Sequence, residues 1–348
     1  MSALNPRLRA WLVRGGLLVV AVVATVAIVR MIGAVDWTTV GHALRHLDWW
    51  QFPLLALLLV VRQSFNSMPL AFYVAGVTPY RAVINDQVAF LIGTAVPPPA
   101  DVAMRVAMFS SWGVPVAAGL AGAMLHKLTF WIVRFGAPVV GIAILVARGD
   151  HLGLSLFDLV SIGIALAILV GLLLIMRSDG LASGIGRSGG RVVRRFRSVD
   201  PEGWAVACVR FRADVSARFR SGFPRSIVML LCMLVIDSTM VTLCMRFVGV
   251  PSSAVATASI VAGFAIAYPL SVFPFNGIGL IDAAVIGAVT LAGGHAVEAP
   301  AVAAMLVWRV FDLGGPMAFG AVSVLLWRRT TGSRMSLRQM LRSKAPAH

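Results

Sequence analysis

Charge is what this sequence has least of. Only 13% of its 348 residues are Asp, Glu, Lys or Arg, while 59% are hydrophobic. A soluble domain carries about a quarter charged residues. The composition therefore excludes an ordinary cytosolic enzyme, a disordered chain and a coiled coil. Cysteine is scarce too: Cys208, Cys232 and Cys244 show no metal-ligand spacing, and two of them sit in apolar runs. That excludes a disulfide framework and a zinc site. Lysine is nearly missing, 2 against 28 Arg. A GC-rich genome produces that bias unaided, so abundant Arg is no argument for phosphate binding. Enzyme signatures are missing as well. There is no P-loop, H-E-x-x-H, G-x-S-x-G or Rossmann fingerprint. The largest polar segment, 177–225, is too short for a soluble catalytic domain. The chain does not read as an enzyme, and no cofactor or metal is expected.

Long hydrophobic runs are what it has. A spanning helix needs about 20 apolar residues. Runs at 11–35, 49–77, 116–146, 154–176, 226–248 and 299–327 reach that length. Two more segments are interrupted. Residues 82–96 break at Pro97-Pro98-Pro99-Ala100-Asp101 and resume over 102–109. Residues 254–273 break at Pro274-Phe275-Asn276-Gly277-Ile278-Gly279 and resume over 280–291. The expected fold class is an all-α polytopic membrane protein with six full spans and two Gly/Pro-broken, re-entrant hairpins.

The charges orient it. Segments 1–14, 76–81, 177–225 and 328–348 hold 21 of the 30 basic residues, while the alternate loops hold Arg45 and Arg148 only. Cytoplasmic loops concentrate Lys and Arg. Both termini are therefore expected inside, in the bacterial cytoplasmic (inner) membrane. The net charge of +16 is explained without nucleic acid. The organisation expected is a multi-pass integral membrane domain over 1–330 and a cytoplasmic tail over 331–348. Within the basic segment 177–225, Gly- and Ser-rich 178–199 reads as loop. A helix starts at Asp200-Pro201-Glu202, with Asp as cap and Pro at its first position. Its stripe of Trp204, Cys208, Phe211, Val215 and Phe219 suits either the membrane interface or a protein surface.

The chain also echoes itself at an offset of roughly 175 residues. Residues 49–147 and 226–327 each read as span, Gly turn, apolar segment, Pro-containing break, short apolar segment, then a span with Trp and Arg followed by Gly/Pro. In the orientation above the two units start on opposite sides, which makes them inverted repeats. Paired interruptions in corresponding halves point to a transporter's central site.

Both breaks carry charge. Asp101 and Arg105 share a helix face. Asn276, Gly277 and Gly279 precede Asp282, and a helix starting there would aim backbone N–H groups at an anion. Within the spans lie Arg62, Lys127, Arg134, Asp237, Arg246, Arg309 and Asp312. Ionisable residues there are costly and point to function. Arg246 is close enough to a span end to snorkel, and Arg309 and Asp312 are spaced to pair. Arg62, Lys127 and Arg134 have no partner nearby in sequence.

The two breaks carry a resemblance. Pro98-Pro99-Ala100-Asp101-Val102-Ala103-Met104-Arg105 resembles a Pro-x-(Gly/Ala)-(Asp/Glu)-x-x-Arg element. Phe273 to Asp282 resembles a Pro-x-Gly-Gly-x-Gly-x-x-Glu element, with Asn276 in place of Gly and Asp282 in place of Glu. Arg309 stands where a later Arg is usual. The family is the flippase-like integral membrane proteins, similar to the membrane domain of lysylphosphatidylglycerol synthase/flippase proteins. It implies lipid translocation without lipid aminoacylation. On that expectation an anionic headgroup binds between the two broken hairpins, at Asp101, Arg105, Arg134, Asn276, Gly277, Gly279, Asp282 and Arg309. Arg62, Lys127, Asp237 and Asp312 are the secondary candidates. The expected partners are membrane lipids, as an anionic phospholipid or a polyprenyl-phosphate-linked substrate. Two alternatives stand beside this reading. One is an intramembrane transferase acting on those lipids. The other is an accessory subunit that partners a glycosyltransferase or lipid-modifying enzyme.

Overall fold

The computed structural model describes residues 47–96, 99–149, 156–194 and 200–331, with positions 38, 42 and 45. The expected span at 11–35, the Pro97-Pro98 pair and the tail 332–348 lie outside the described residues. The described chain is helical, without strands. Its helices are α1 (Gln51–Tyr73), α2 (Pro79–Ala95), α3 (Ala100–Ser111), α4 (Val116–Ala147), α5 (Leu156–Arg177) and α6 (Asp179–Arg194). They continue as α7 (Pro201–Phe247), α8 (Thr257–Ala267), α9 (Leu280–Gly293), α10 (Glu298–Arg309) and α11 (Gly315–Thr331). Five units are long and apolar enough to cross a membrane: α1, α4, α5, α7 and the α10–α11 pair. They coincide with five of the six expected runs. The protein is an integral, multi-pass membrane protein.

Both interrupted segments break where the prolines and glycines fall. The first is α2 and α3, which pack on each other. The second runs from α8 through a 3-10 stretch (Tyr268–Val272) and a single turn (Pro274–Gly277) into α9, and α8 packs on α9. Local chemistry sets the ends. The Thr78 side chain accepts from the Arg81 N–H, with Pro79 at the first helical position of α2. Arg246 does not merely reach for the interface. It donates to the carbonyls of Val250 and Val255 and to Thr257, tying down the chain that leaves α7.

Packing joins the two halves. In lipid the helices gain little from apolar burial alone, so small residues that admit close backbone approach decide contacts. Helices α1 and α7 run antiparallel. Trp50 meets Phe247 edge-on at 5.6 Å, Arg62 reaches Asp237, and Gly222 lies against Tyr73. Two other contacts form a matched pair. Gly320 of α11 sits on the Gln87 carbonyl of α2, and Gly141 of α4 sits on the Ala262 carbonyl of α8. A Cβ at either glycine would come within 2.7 Å of that oxygen.

The basic segment differs from expectation. Residues 179–194 form α6 and not a loop. Gly and Ser have poor helix propensity, but here they permit packing. Ala182, Gly186 and Gly190 are buried, and a Cβ on Gly186 would meet the Trp204 carbonyl at 2.5 Å. Arg187 clasps the Glu202 carboxylate at 2.6 and 3.0 Å. Hydrogen bonds from Arg187 hold the Glu202 carboxyl below its ordinary range, so the clasp is present at neutral pH and is lost only as pH falls through that lowered pKa. The helix at Asp200 starts as expected, its cap accepting from the N–H groups of Glu202 and Gly203. It does not lie apart on the interface, however. It runs through Pro224 into the span as one 47-residue helix. Val215 on its stripe is buried, with Phe211 and Phe219 packed in the same cluster as Leu172 of α5. At 1.5 Å per residue α7 is about 70 Å long, against a hydrocarbon core of about 30 Å. Its first turns, with α6, therefore stand outside the spanning layer.

Candidate functional site

Beside the second break, five charged side chains interlock. Arg309, the last residue of α10, donates Nε to Asp282 at 2.8 and 3.1 Å and Nη2 to the same carboxylate at 2.9 Å. Its remaining N–H groups go to the Asn276 carbonyl (3.1 Å), the Gly277 carbonyl (3.3 Å) and Asp312 (3.2 Å). A guanidinium has five donors, and all of them are engaged. Asp312 lies in a π-helical turn, Val310–Gly314. Such turns commonly mark functional sites, and this one places Asp312 also 3.6 Å from Arg62. Arg62 of α1 pairs with Asp237 of α7 at 2.8 Å, and Asp237 accepts from the Trp308 indole at 3.3 Å.

The break itself is a tight turn. Asn276, Gly277 and Gly279 all have positive φ, at 54°, 64° and 80°. The Gly279 N–H, which an anion was expected to occupy, donates to Asp282 at 2.7 Å. The protein's own carboxylate caps α9. Gly277 has a second constraint, because a Cβ there would lie 2.3 Å from the Leu270 carbonyl oxygen. Gly277→Ala should therefore cost at least the about 1–3 kcal/mol of a strained backbone position. Reduced recovery of monodisperse protein in detergent would show it, and normal recovery and melting would contradict it.

The first break is held differently. Arg105 of α3 does not pair with Asp101. It donates to Asn85 and to Asp86 of α2, the latter at 2.9 Å. Asp86 also accepts from Asn66 at 2.8 Å and Ser67 at 3.3 Å, both on α1. Asp101 makes no hydrogen bond or ion pair among the described residues.

Between the two clusters runs one face of α4. Lys127, Phe130 and Arg134 recur at spacings of three and four, so they share that face. The Phe130 ring carries both cations, Lys127 Nζ at 5.6 Å and the Arg134 guanidinium at 4.6 Å from its centre. Neither cation has a hydrogen bond or ion pair among the described residues, and Arg134 Nε is buried without a partner. Lys127 lies within electrostatic range of Asp86, Arg105 and Asp101. Arg134 lies within range of Tyr268, Arg62, Asp312 and Asp237. A cavity of about 830 Å³ lies along α8 and α9, its lining including Arg148, Ser252, Ser253, Ala267 and Leu270, the last of these just before the second break.

The structure thus brings Asn276, Gly277, Gly279, Asp282, Arg309 and Asp312 into one cluster, joined through Asp312 to Arg62 and Asp237. Arg105 stands in another, with Lys127 and Arg134 between the two. Sequence reasoning missed Asp86 and Asn85. An Asn-Asp pair inside an apolar run was the available signal. Among the described residues no group of three or more His, Cys, Asp or Glu side chains could hold a metal.

Fold and site together define a polytopic helical membrane protein with charged residues organised beside two broken helical segments. Residues 15–320 match the family described as lysylphosphatidylglycerol synthase TM region. The chain belongs to that family, which places it among proteins of membrane-lipid function. No curated protein and no solved structure matches it.

Proposed function

We propose that this protein translocates the headgroup of a lipid or lipid-linked intermediate across the bacterial cytoplasmic membrane, and that it does so without catalysing a reaction. The observation that carries the reading is the stripe Lys127, Phe130 and Arg134. A cation in a span is costly unless something pairs with it. Among the described residues these two have no hydrogen bond or ion pair and lie on an aromatic face, between two clusters whose arginines are paired with carboxylates. Arg offers a planar fork that matches phosphate, so Arg134 and Lys127 are the first phosphate contacts. Arg105, with donors left over, is the next. The clasped residues Asn276, Gly277, Gly279, Asp282 and Arg309 act on the headgroup by holding or releasing the second break. The hydrocarbon tails remain in lipid.

The architecture proposed is a pair of inverted repeats, 49–147 and 226–327, containing the two broken hairpins as re-entrant elements. Several contacts support it. Arg62 and Asp237, which touch, are separated by 175 residues, the offset of the repeat. Equivalent residues touch only close to a two-fold axis. Gln87 and Ala262, the two carbonyls beneath Gly320 and Gly141, are also 175 apart. The basic segment 177–225 and both termini are placed in the cytoplasm. Maleimide applied outside intact cells should label a cysteine at position 42 and miss one at Ser188, an exposed residue of α6. The reverse pattern would overturn the orientation.

Reconstitution tests the function. Vesicles of phosphatidylglycerol and phosphatidylethanolamine, with trace headgroup-labelled phosphatidylglycerol, should show label crossing that empty vesicles lack. New lipid products would favour a transferase. Neither movement nor product would favour an accessory subunit serving a glycosyltransferase or another lipid-modifying enzyme.

A further inference from the structure

The carboxylates beside the second break outnumber the cations that touch them. Among the described residues Asp237, Asp282 and Asp312 meet two guanidiniums, Arg62 and Arg309. All three carboxylates are buried. The sixth charge is Arg134, within electrostatic range of Asp312 and Asp237 but with no hydrogen bond or ion pair to either. Tyr268 faces the same group, as a phenol that is uncharged at neutral pH. With Arg134 the charges are even, and without it one negative charge is left over. The first cluster is even by itself, Arg105 and Lys127 standing against Asp86 and Asp101. The three carboxylates of the second cluster are not held alike. Asp282 takes Arg309 on both oxygens and the Gly279 N–H besides. Asp237 takes Arg62 on one oxygen at 2.8 Å and the Trp308 indole on the other at 3.3 Å. Asp312 takes Arg309 at 3.2 Å and the Asn276 amide at 3.3 Å, both on Oδ2. Its Oδ1 accepts no hydrogen bond among the described residues, and Arg62, committed to Asp237, is 3.6 Å away. A carboxylic acid carries its proton on one oxygen, and Oδ1 can take one without any bond being broken.

From this imbalance we infer that Asp312 is a proton site, filled when a lipid phosphate occupies Arg134, so that one proton crosses with each phosphodiester headgroup. The proton's role rests on the translocation reading above and gives it a driving force. A phosphodiester on Arg134 cancels the cation that balances the cluster. A buried carboxylate left uncompensated neutralises itself by binding a proton. The step is a protonation and nothing else: water delivers H⁺ to Asp312 Oδ1, and the same O–H bond breaks on release. Two states of the site are then electrically even. One is empty with Asp312 ionised, and the other holds both phosphate and proton. Phosphate alone leaves one negative charge in excess, and a proton alone leaves one positive charge. A buried charge without a partner is costly, so exchange between the two sides is confined to the even states. That confinement couples lipid to proton one to one. Asp312 is also placed to sense the second break, since its π-helical turn follows Arg309 and its Oδ2 accepts from Asn276.

Full-length protein in phosphatidylcholine vesicles with a small share of phosphatidylglycerol, part of it headgroup-labelled, tests the coupling. Under a pH gradient the label, read with an impermeant quencher, should gather in the leaflet facing the alkaline side, over a time in which empty vesicles show no change. The asymmetry should approach about tenfold per pH unit, the limit of one-to-one coupling. Either orientation of the protein gives the same end point. A potassium diffusion potential at equal pH should leave the label even, because a phosphodiester and a proton together carry no net charge. Label that moves but ignores the pH gradient, or follows the potential, overturns the proton site and leaves translocation standing. Asp312→Asn should still move label and lose the gradient response. If it does not give monodisperse protein, Asp312→Ser is read by the same criterion. A retained response overturns the assignment to Asp312, as does a loss confined to His126→Gln, the buried histidine near Asp86. If no label moves, lightly buffered protein in detergent decides. Uptake approaching about one proton per short-chain phosphatidylglycerol bound supports the site and counts against lipid transport, and no uptake overturns it.

Discussion

Arg134→Met should slow headgroup movement about tenfold to a hundredfold while leaving the protein at least as stable as the parent. The two halves of that result come from one fact. Arg134 is a charge in a spanning helix with no ion pair or hydrogen bond among the described residues. A charge at mid-span costs roughly 2.5–3.5 kcal/mol on insertion scales, and the Phe130 ring with the more distant Asp312 and Asp237 offsets it only in part. Replacing it with a flexible apolar side chain removes that cost, so thermal unfolding in detergent should move upward or stay put. Function should move the other way. A hydrogen bond to a charged group contributes about 1.5–3 kcal/mol, so losing the phosphate contact should slow transport about tenfold to a hundredfold. Arg134→Lys should retain part of the rate, because it keeps charge and loses the fork. A stabilised Arg134→Met that still moved labelled phosphatidylglycerol at the parent rate would remove the phosphate contact from the mechanism.

Arg309→Ala should do the reverse to stability. All five donors of this guanidinium are used by the protein. Deleting it leaves Asp282 without its bidentate partner and Asp312 with only Arg62 at 3.6 Å and the Asn276 amide at 3.3 Å. Breaking a buried ion pair from one side costs about 3–5 kcal/mol, since the abandoned charge stays buried. The variant should melt well below the parent, and adding Asp282→Asn should recover part of the loss. The Asn amide can still accept from Gly279 but no longer carries an orphaned charge. Melting at the parent temperature would mean that the clasp is not what holds the second break. The two arginines thus carry opposite expectations, and a single pair of melting curves with a transport assay distinguishes them.

What a linear reading could see here was whatever depends on composition and on neighbours along the chain. Hydrophobic length marks spans because hydrocarbon demands an internally bonded backbone of fixed extent. Helices α1, α4, α5, α7 and α10–α11 fall on the runs that length picked out. Proline and glycine mark breaks because φ is a local property, and Asn276, Gly277 and Gly279 do turn the chain with positive φ. The Arg309–Asp312 pair was legible for the same reason, being three residues apart on one helix.

Partners distant in sequence were not legible. Asp101 and Arg105 share a helix face, yet Arg105 turns to Asp86, a residue of another helix that happened to lie 19 positions earlier. Segment 179–194 looked like loop because propensity counts a residue's own preferences. The contact that makes it a helix, Gly186 against the Trp204 carbonyl, is supplied by α7. The same holds for the difference between Arg134 and Arg309. Asp312 beside Arg309 could be read along the chain, but Asp282 and the Asn276 and Gly277 carbonyls that complete its clasp lie on other elements, and nothing along the chain showed that Arg134 would meet no such group. The sequence by itself determined that the chain spans the membrane, where its helices break and which costly charges it keeps there. Tertiary packing alone decided which of those charges are satisfied, because a hydrogen bond depends on a few ångströms in space and hydrophobic periodicity carries no record of them.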